Sequence, residues 1–327
     1  MTQVCEKCTL VSTGKIAECP QCGGDLVTPL RTDAYLKKFL DIDDKTLRRF
    51  KAIQKQTIQE AERLKKKKGP LRAIGVSGSA RDQFDMAAES SNSEFLLTQA
   101  LAELKKHGVK TELIPLRKYD IKPCKACYST TNTQCHFRCS CYPRGTATAD
   151  DMSNVLYDKI LAADIIIFAT PVNNFKMSSM LALFIDRCIS LDGSLPPADP
   201  NGAKNKELNI KHTKFVELMA DDAVLGSGFF RRFSGKSAGV IVTGHEEGAA
   251  LVISSLFMGL DRFGMAFAPW SIMYAMSSIL RPTYKDKKFV TSSAYVEDAK
   301  KLAQNTLIFA KALRGGATDW KYKSSAN

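Results

Sequence analysis

The stretch Asp164–Val172, Asp-Ile-Ile-Ile-Phe-Ala-Thr-Pro-Val, constrains the fold more than any other. An apolar, β-branched run with no polar alternation offers no face to water. It therefore reads as a strand covered on both sides, the position a parallel sheet gives its central members. Parallel neighbours need crossover connections, and the surrounding sequence supplies them. Strands are expected at Leu71–Val76, Val109–Leu116, Asp164–Val172, Ser237–Thr243 and Met265–Met273. Helices are expected at Phe95–Lys106, Asp151–Ala162 (capped by Asp150), Met177–Leu191, Glu247–Phe263 and Tyr295–Leu313. This βα repetition predicts a doubly wound α/β sheet that binds ligands outside the carboxyl ends of its strands.

Three of those strand ends carry chemistry. After the first lie Ser77, Gly78, Ser79, Ala80 and Arg81, then Ser91-Asn92-Ser93-Glu94. Ser91 and Glu94 have the spacing of a capping box, opening a helix with Phe95, Leu97, Leu101 and Leu104 on its apolar face. Hydroxyls, backbone amides, an arginine and a helix N-terminus converge there, which suits a phosphate ester. A dinucleotide site would want G-x-G-x-x-G at this turn and an acid closing the second strand, and neither is present. A single terminal phosphate fits better. The third strand ends in Thr170, Pro171, Val172, Asn173, Asn174 and Phe175, and the fourth in Thr243, Gly244, His245, Glu246, Glu247 and Gly248. His245 reads equally as a proton relay, a ligand contact or a hydrogen-bonded loop histidine. Glu246 and Glu247 suit the start of the helix that follows.

Nine of the ten cysteines fall in two groups, and Cys188, among Phe184, Ile185 and Ile189, reads as a small buried residue. Cys5-x2-Cys8 and Cys19-x2-Cys22 are two knuckles that can put four thiolates around one ion, with Gly23-Gly24 allowing the turn after the second. The pattern resembles zinc ribbons and, more distantly, rubredoxins, so zinc is expected and iron is the alternative. So polar a segment, residues 1–30, needs its ion to fold. The second group, Cys124, Cys127, Cys135, Cys139 and Cys141 with His136 among them, can supply the four thiolates of a [4Fe–4S] cluster. Another metal, or a structural or regulatory thiol loop, remains open at this point.

Between these groups, residues 31–70 hold 13 basic and 6 acidic residues and end in Lys65–Lys68. Leu36, Phe39 and Leu40 mark a short helix there. Leu47, Phe50, Ile53, Ile58, Ala61 and Leu64 mark a longer one, which Gly69-Pro70 stops. The basic run carries no interleaved aromatics and reads as a solvated helix face, so nucleic acid is not the expected partner. Residues 192–236, rich in lysine and holding Pro196-Pro197, read as a long insertion, and 315–327 as a tail. No apolar stretch reaches the ~20 residues a membrane helix needs. The first residues show no hydrophobic signal region, so a cytoplasmic protein without membrane contact is expected.

From Leu71 to about Trp270 the chain resembles the flavodoxin-like NAD(P)H-dependent FMN reductases, and most of all their iron–sulfur flavoprotein branch. Gly78-Ser79-Ala80-Arg81 with Asn92-Ser93, Pro123-Cys124 to Cys127, Asp150-Asp151-Met152, Ala163–Val172 and Phe184-Ile185-Asp186-Arg187 carry the resemblance. It implies a five-stranded sheet of order 2-1-3-4-5 within a domain spanning 71–314. It also implies FMN with its phosphate at Ser79, Arg81, Asn92 and Ser93, its ring against Thr170–Phe175, and Gly244–Gly248 approaching from the other side. Ser77, Ala80 and Ser91 complete the expected cradle. The implied activity is electron transfer from NAD(P)H through flavin to an unidentified acceptor, in an oligomer of at least two copies. Flavin carries the chemistry, so no side-chain acid or base is expected. Two other readings stand: a flavodoxin-like electron carrier that uses no NAD(P)H, and a zinc-ribbon interaction protein. The sequence departs from the family pattern in three places, the first being Asn173-Asn174 where an aromatic residue often follows Thr170-Pro171-Val172, with Phe175 one step later. Asp82–Ser90 separate Arg81 from Asn92-Ser93, and the third cysteine of the tighter cluster motif is missing.

Overall fold

The computed structural model describes residues 3–12, 16–82, 90–129, 135–199, 205–221, 223–245, 248–277 and 288–314. It opens on an antiparallel ribbon of three short strands, β1 (Gln3–Cys5), β2 (Val11–Ser12) and β3 (Leu26–Val27), in the order β2-β1-β3. Helix α1 (Asp33–Leu40) begins where the Thr32 hydroxyl accepts from the Tyr35 amide. Helix α2 (Asp44–Lys65) begins where the Asp43 carboxylate accepts from the Thr46 amide.

The α/β unit follows. Its elements are β4 (Arg72–Ser77), α3 (Asn92–Lys106), β5 (Lys110–Pro115), α4 (Tyr157–Ala162), β6 (Ile165–Asn173), β7 (Lys176–Met177) and α5 (Ser179–Cys188). An inserted helix, α6 (Lys206–Met219), comes next, then β8 (Ser237–His245), α7 (Ala249–Arg262), β9 (Ala266–Ser277) and α8 (Ser293–Arg314). The five long strands are parallel in the order β5-β4-β6-β8-β9, the expected 2-1-3-4-5, and β7 adds a short antiparallel hairpin to the end of β6.

The central strand is β6, and residues 165–170 are fully buried. Its side chains alternate between two cores, as the pleat requires. Ile166 and Phe168 meet Tyr157, Leu181, Phe184, Val252 and Leu256 from α4, α5 and α7. Ile165, Ile167 and Ala169 meet the layer holding Leu97, Leu101, Leu302 and Leu307 from α3 and α8. Each such side chain contributes about 1.5–3 kcal/mol by leaving water, so polar substitution in β6 would break both layers at once. Cys188 is buried in the first layer, as expected.

Two local expectations are corrected. The helix foreseen over Asp151–Ala162 opens with a wider π-turn, Met152–Leu156, although the Asp150 carboxylate still accepts from the Ser153 amide at 3.0 Å. The insertion 192–236 is more than loop, because α6 lies in it, capped by Asn205 accepting from the Leu208 amide. Phe215, Val216 and Leu218 of α6 join Leu195 and Ala198 against Val4, Leu36, Leu40, Leu47 and Phe50. Ribbon, α1, α2 and insertion thus share one apolar core beside the sheet.

Lys67 turns inward from the basic run that read as solvated. Its Nζ donates to the carbonyls of Leu161 (2.8 Å), Ala162 (3.3 Å) and Ala163 (3.0 Å), the open C-terminus of α4. Lys236 donates to Leu161 and Ala163 from the other side, and burial holds its ammonium well below the usual lysine range. Asp164 supplies counter-charge to Lys67 at 3.5 Å and to Arg314 at 2.8 Å.

Candidate cofactor site and metal centres

The sheet's carboxyl edge is built from the turn after β4. Ser77 Oγ donates to Glu94 Oε2 at 2.6 Å, and Glu94 receives Arg117 through both guanidinium nitrogens, at 2.5 and 2.9 Å. Burial pushes the Glu94 carboxyl up, but Arg117 and Ser77 outweigh it and hold the group below the usual range. The capping box is therefore half-formed. Ser91 Oγ accepts from the Glu94 amide at 3.3 Å, while the Glu94 carboxylate ties α3 to the ends of β4 and β5.

Around that anchor, Ser77, Ser79, Ser91 and Ser93 are buried. Ser91 and Ser93 hydroxyls lie 3.0 Å apart, and the Arg81 amide donates to Ser79 Oγ at 3.2 Å. Ala80 and Arg81 are exposed beside them, and Asn92 is half-buried. The first-turn amides of Asn92 and Ser93 have no acceptor among the described residues. An oxyanion at this spot gains both amides and the positive end of α3, so the residues fit a phosphate. Arg117 was missed from the sequence. Its position just past β5, at another strand end, is the signal that could have found it.

The second wall is the β6–β7 hairpin. Asn173 pairs with Lys176, so Asn174 and Phe175 form a two-residue turn, both left-handed at φ +49° and +64°. Holding non-glycine residues there costs about 1–2 kcal/mol each, yet Phe175 keeps its ring 58% exposed. The base of the hairpin is fixed by Thr170, whose Oγ1 accepts from the Ser178 amide at 3.1 Å and donates to the Pro171 carbonyl at 2.9 Å. Pro171 and Val172 are half-buried, Asn173 exposed. Gly248 closes the third side at φ +86°, and a Cβ placed there would lie 2.5 Å from Phe175 Cα. Thr243 is buried and pairs with Pro171, bringing the end of β8 alongside β6. Gly244 and His245 continue β8 beside Met276 and Ser277 of β9. Glu246 and Glu247 lie outside the described residues.

The cysteine loop leaves the end of β5 and returns at Asp150. That carboxylate accepts from the Lys122 amide at 3.0 Å and from the Arg187 guanidinium, both side chains being almost wholly buried. Arg187 also donates to the Lys122 carbonyl at 3.0 Å and lies 4.5 Å from the Tyr142 ring centre. Removing one partner of a pair buried like this costs about 3–5 kcal/mol, so Arg187 holds the loop in place. The five thiols are half-buried. Cys127 and Cys141 sulfurs lie 2.9 Å apart. The Cys141 thiol holds Cys139 down to about 6, while burial pushes Cys135 up to about 12. Arg187 favours the ionised form of Cys139, whereas at Cys124 burial outweighs it and pushes the thiol up. The loop carries more thiols than the four an iron–sulfur cluster needs, but among the described residues only Cys5, Cys8, Cys19 and Cys22 bring their sulfurs within reach of one ion. His136 Nδ1 is engaged with Ser140 Oγ at 2.8 Å.

A family model described as NADPH-dependent FMN reductase matches residues 71–276, the sheet and all three walls of the cradle. The chain belongs to this family. It is similar to an iron–sulfur flavoprotein of Archaeoglobus fulgidus, 31% identical over 119 residues, which are 36% of this chain and 51% of that one. It is also similar to an iron–sulfur flavoprotein of Methanosarcina thermophila, 28% identical over 121 residues, 37% of this chain and 54% of the relative. The chain spans about half the length of these curated relatives. Among solved structures, RosB with bound 8-demethyl-8-formylriboflavin-5′-phosphate has the same fold, with a TM-score of 0.54 at 18% identity, over 76% of this chain and 82% of that one.

The ribbon precedes the region matched by the FMN reductase family. Its Cys5, Cys8, Cys19 and Cys22 sulfurs all lie within 4.8 Å of one another. The Cys8 amide pulls the Cys5 thiol down to about 7. The Leu10 amide does the same for Cys8, but burial and three neighbouring sulfurs push that thiol up to about 12. Crowded thiols that oppose one another's ionisation, with knuckle amides on Cys5, Cys8 and Cys22, are what a cation resolves. Gly24 permits the approach, since a Cβ there would come within 3.2 Å of Cys5 Sγ. The ribbon can hold one tetrahedral ion.

Proposed function

We propose that this member of the FMN reductase family is an NAD(P)H oxidoreductase that passes electrons to a separate acceptor, with FMN seated at the strand ends. The observation that carries the reading is the buried serine cradle at the N-terminus of α3 facing the Asn174–Phe175 hairpin. When bound there, FMN supplies hydride acceptance and electron release, which no side chain at the site can perform. The chain's own part is binding and exclusion of water. Ser79, Ser91, Ser93 and the amides of Asn92 and Ser93 take the phosphate, with Arg81 adding positive charge and Glu94–Arg117 holding the turn rigid. Thr170–Phe175 and Gly244–Gly248 flank the ring, and the exposed Phe175 shields it from solvent.

Four of Cys124, Cys127, Cys135, Cys139 and Cys141 would hold a [4Fe–4S] cluster, whose chemistry is single-electron release. Cys5, Cys8, Cys19 and Cys22 would hold zinc, or iron in its place, as a structural ion. Ten thiols without a disulfide suit a reducing compartment such as the cytoplasm. A homo-oligomer is expected, with β9, an end strand of the sheet among the described residues, as its contact.

Anaerobic purification followed by an absorbance spectrum, metal and sulfide analysis, and mixing with NADH or NADPH tests this reading. Flavin absorbance that bleaches on adding a nicotinamide is the expected result. Protein that shows no flavin and gains none from added FMN overturns it. Flavin that binds but never bleaches favours the electron-carrier alternative.

A further inference from the structure

A cavity of about 1570 Å³ touches none of the strand-end residues assigned to flavin. It lies where α2 and the insertion face the cysteine loop. Cys127, Cys139 and Cys141 line one side, Gln56, Glu60 and Arg63 of α2 another, and Pro196 and Pro197 a third. Clefts between structural units are favoured ligand sites, and this one exceeds the ~300–1,000 Å³ common for small molecules.

Its charge is one-sided. Arg63, Lys125, Arg138, Arg144, Lys206 and Arg232 line it, against Glu60 and Asp199. Glu60 is already consumed, since Arg232 grips both its oxygens at 3.0 and 2.9 Å. Arg138 and Arg144 share Asp158, yet Arg138 Nη1 is buried with no partner among the described residues. Arg63, Lys125 and Lys206 form no ion pair among the described residues, and all three are exposed to the cavity. Confined like charges focus a positive potential inside a cleft, and an anion entering it relieves their repulsion.

We propose that this cavity binds a small polyanionic electron acceptor beside the cysteine loop. The proposal rests on the NAD(P)H reductase reading for its reductant. With a one-electron acceptor the balance is one NAD(P)H oxidised to NAD(P)⁺, two acceptor molecules each gaining one electron, and one proton released to water.

The test separates binding from turnover. Hexacyanocobaltate(III), a redox-inert trianion, is titrated calorimetrically into the full chain at low salt, and ferricyanide reduction by NAD(P)H is followed in parallel. Expected are one saturable site, weakening as salt rises, and inhibition of ferricyanide reduction by the cobalt complex. The double variant Arg63→Glu/Lys206→Glu binds at least tenfold more weakly. The pair Lys105→Glu/Lys110→Glu, an equal charge change on exposed residues away from the cavity, stays within twofold of the unsubstituted chain. No saturable binding, or equal losses in both double variants, overturns the cavity assignment. Failure of nicotinamide to bleach the flavin instead overturns the reductase reading, and the titration still decides the cavity.

Discussion

Gly248 and Phe175 meet so closely that neither side of the cradle is independent of the other. Substituting Gly248→Ala adds a Cβ 2.5 Å from Phe175 Cα at φ +86°. The left-handed backbone costs about 1–2 kcal/mol and the overpacking about 1–3 kcal/mol, so destabilisation of about 2–5 kcal/mol is expected. FMN affinity should fall with it, because the hairpin must shift. Urea unfolding and flavin fluorescence titration on the same protein check this, and unchanged FMN affinity would separate the hairpin from the site. At this scale the sequence showed which residues sit at the strand ends but not their backbone. Asn-Phe is not a turn pair that announces φ above zero, as Asn-Gly does, so the strained hairpin was illegible. The Glu94–Arg117 pair was hidden for a different reason. A capping box predicts where the carboxylate starts, not that an arginine 23 residues later will claim it.

Between elements, α3 and α8 are joined by Glu103. Gln304 Nε2 donates to its carboxylate at 2.8 Å, and Lys106 and His107 approach at 3.1 and 3.2 Å. Gln304 first, then Lys106, hold the group down to about 2, against ~4.3 for an unconstrained glutamate. A carboxyl lowered by folding stabilises the fold in full above its unfolded value and loses that contribution as pH falls towards the folded one. The difference in melting temperature between the unsubstituted chain and Glu103→Gln should therefore be largest at pH 5 and shrink by pH 2.5. A pH-independent difference would show that the carboxylate's charge contributes nothing. Strand number, order and direction were readable at this scale because β6 is apolar on both faces and the helices between strands are amphipathic. Helix α6 was not, because Lys206, Lys211 and Lys214 dilute the stripe that Leu208, Phe215 and Leu218 form, and its partners lie some 170 residues upstream. Nor does periodicity announce a π-turn, which adds a residue within a pattern that otherwise continues.

Over the whole molecule, β9 is an end strand of the sheet among the described residues, with Trp270 84% and Tyr274 61% exposed. Trp270 adjoins Pro269, whose carbonyl accepts from Asn305, and Ile308 stands exposed one turn further along α8. An edge with large apolar side chains on it invites a partner. Light scattering should give a mass at least twice the 36.0 kDa of one chain, falling towards one chain in Trp270→Glu. A monomeric unsubstituted chain would remove the expectation. Composition foretold none of the larger arrangement. The basic run ending in Lys65–Lys68 read as a solvated helix face, whereas Lys67 closes the end of α4 and Arg63 faces a cavity.

The core shared by ribbon and insertion also fixes an order of events during synthesis. Val4 packs in one core with Phe215 and Val216, more than 200 residues later. At about 5–20 residues per second, the ribbon waits roughly 10–40 s before those partners exist. Throughout that interval its four thiols meet whatever ions the surroundings hold, with no packed core to select among them. The ribbon is made long before the residues that seal it.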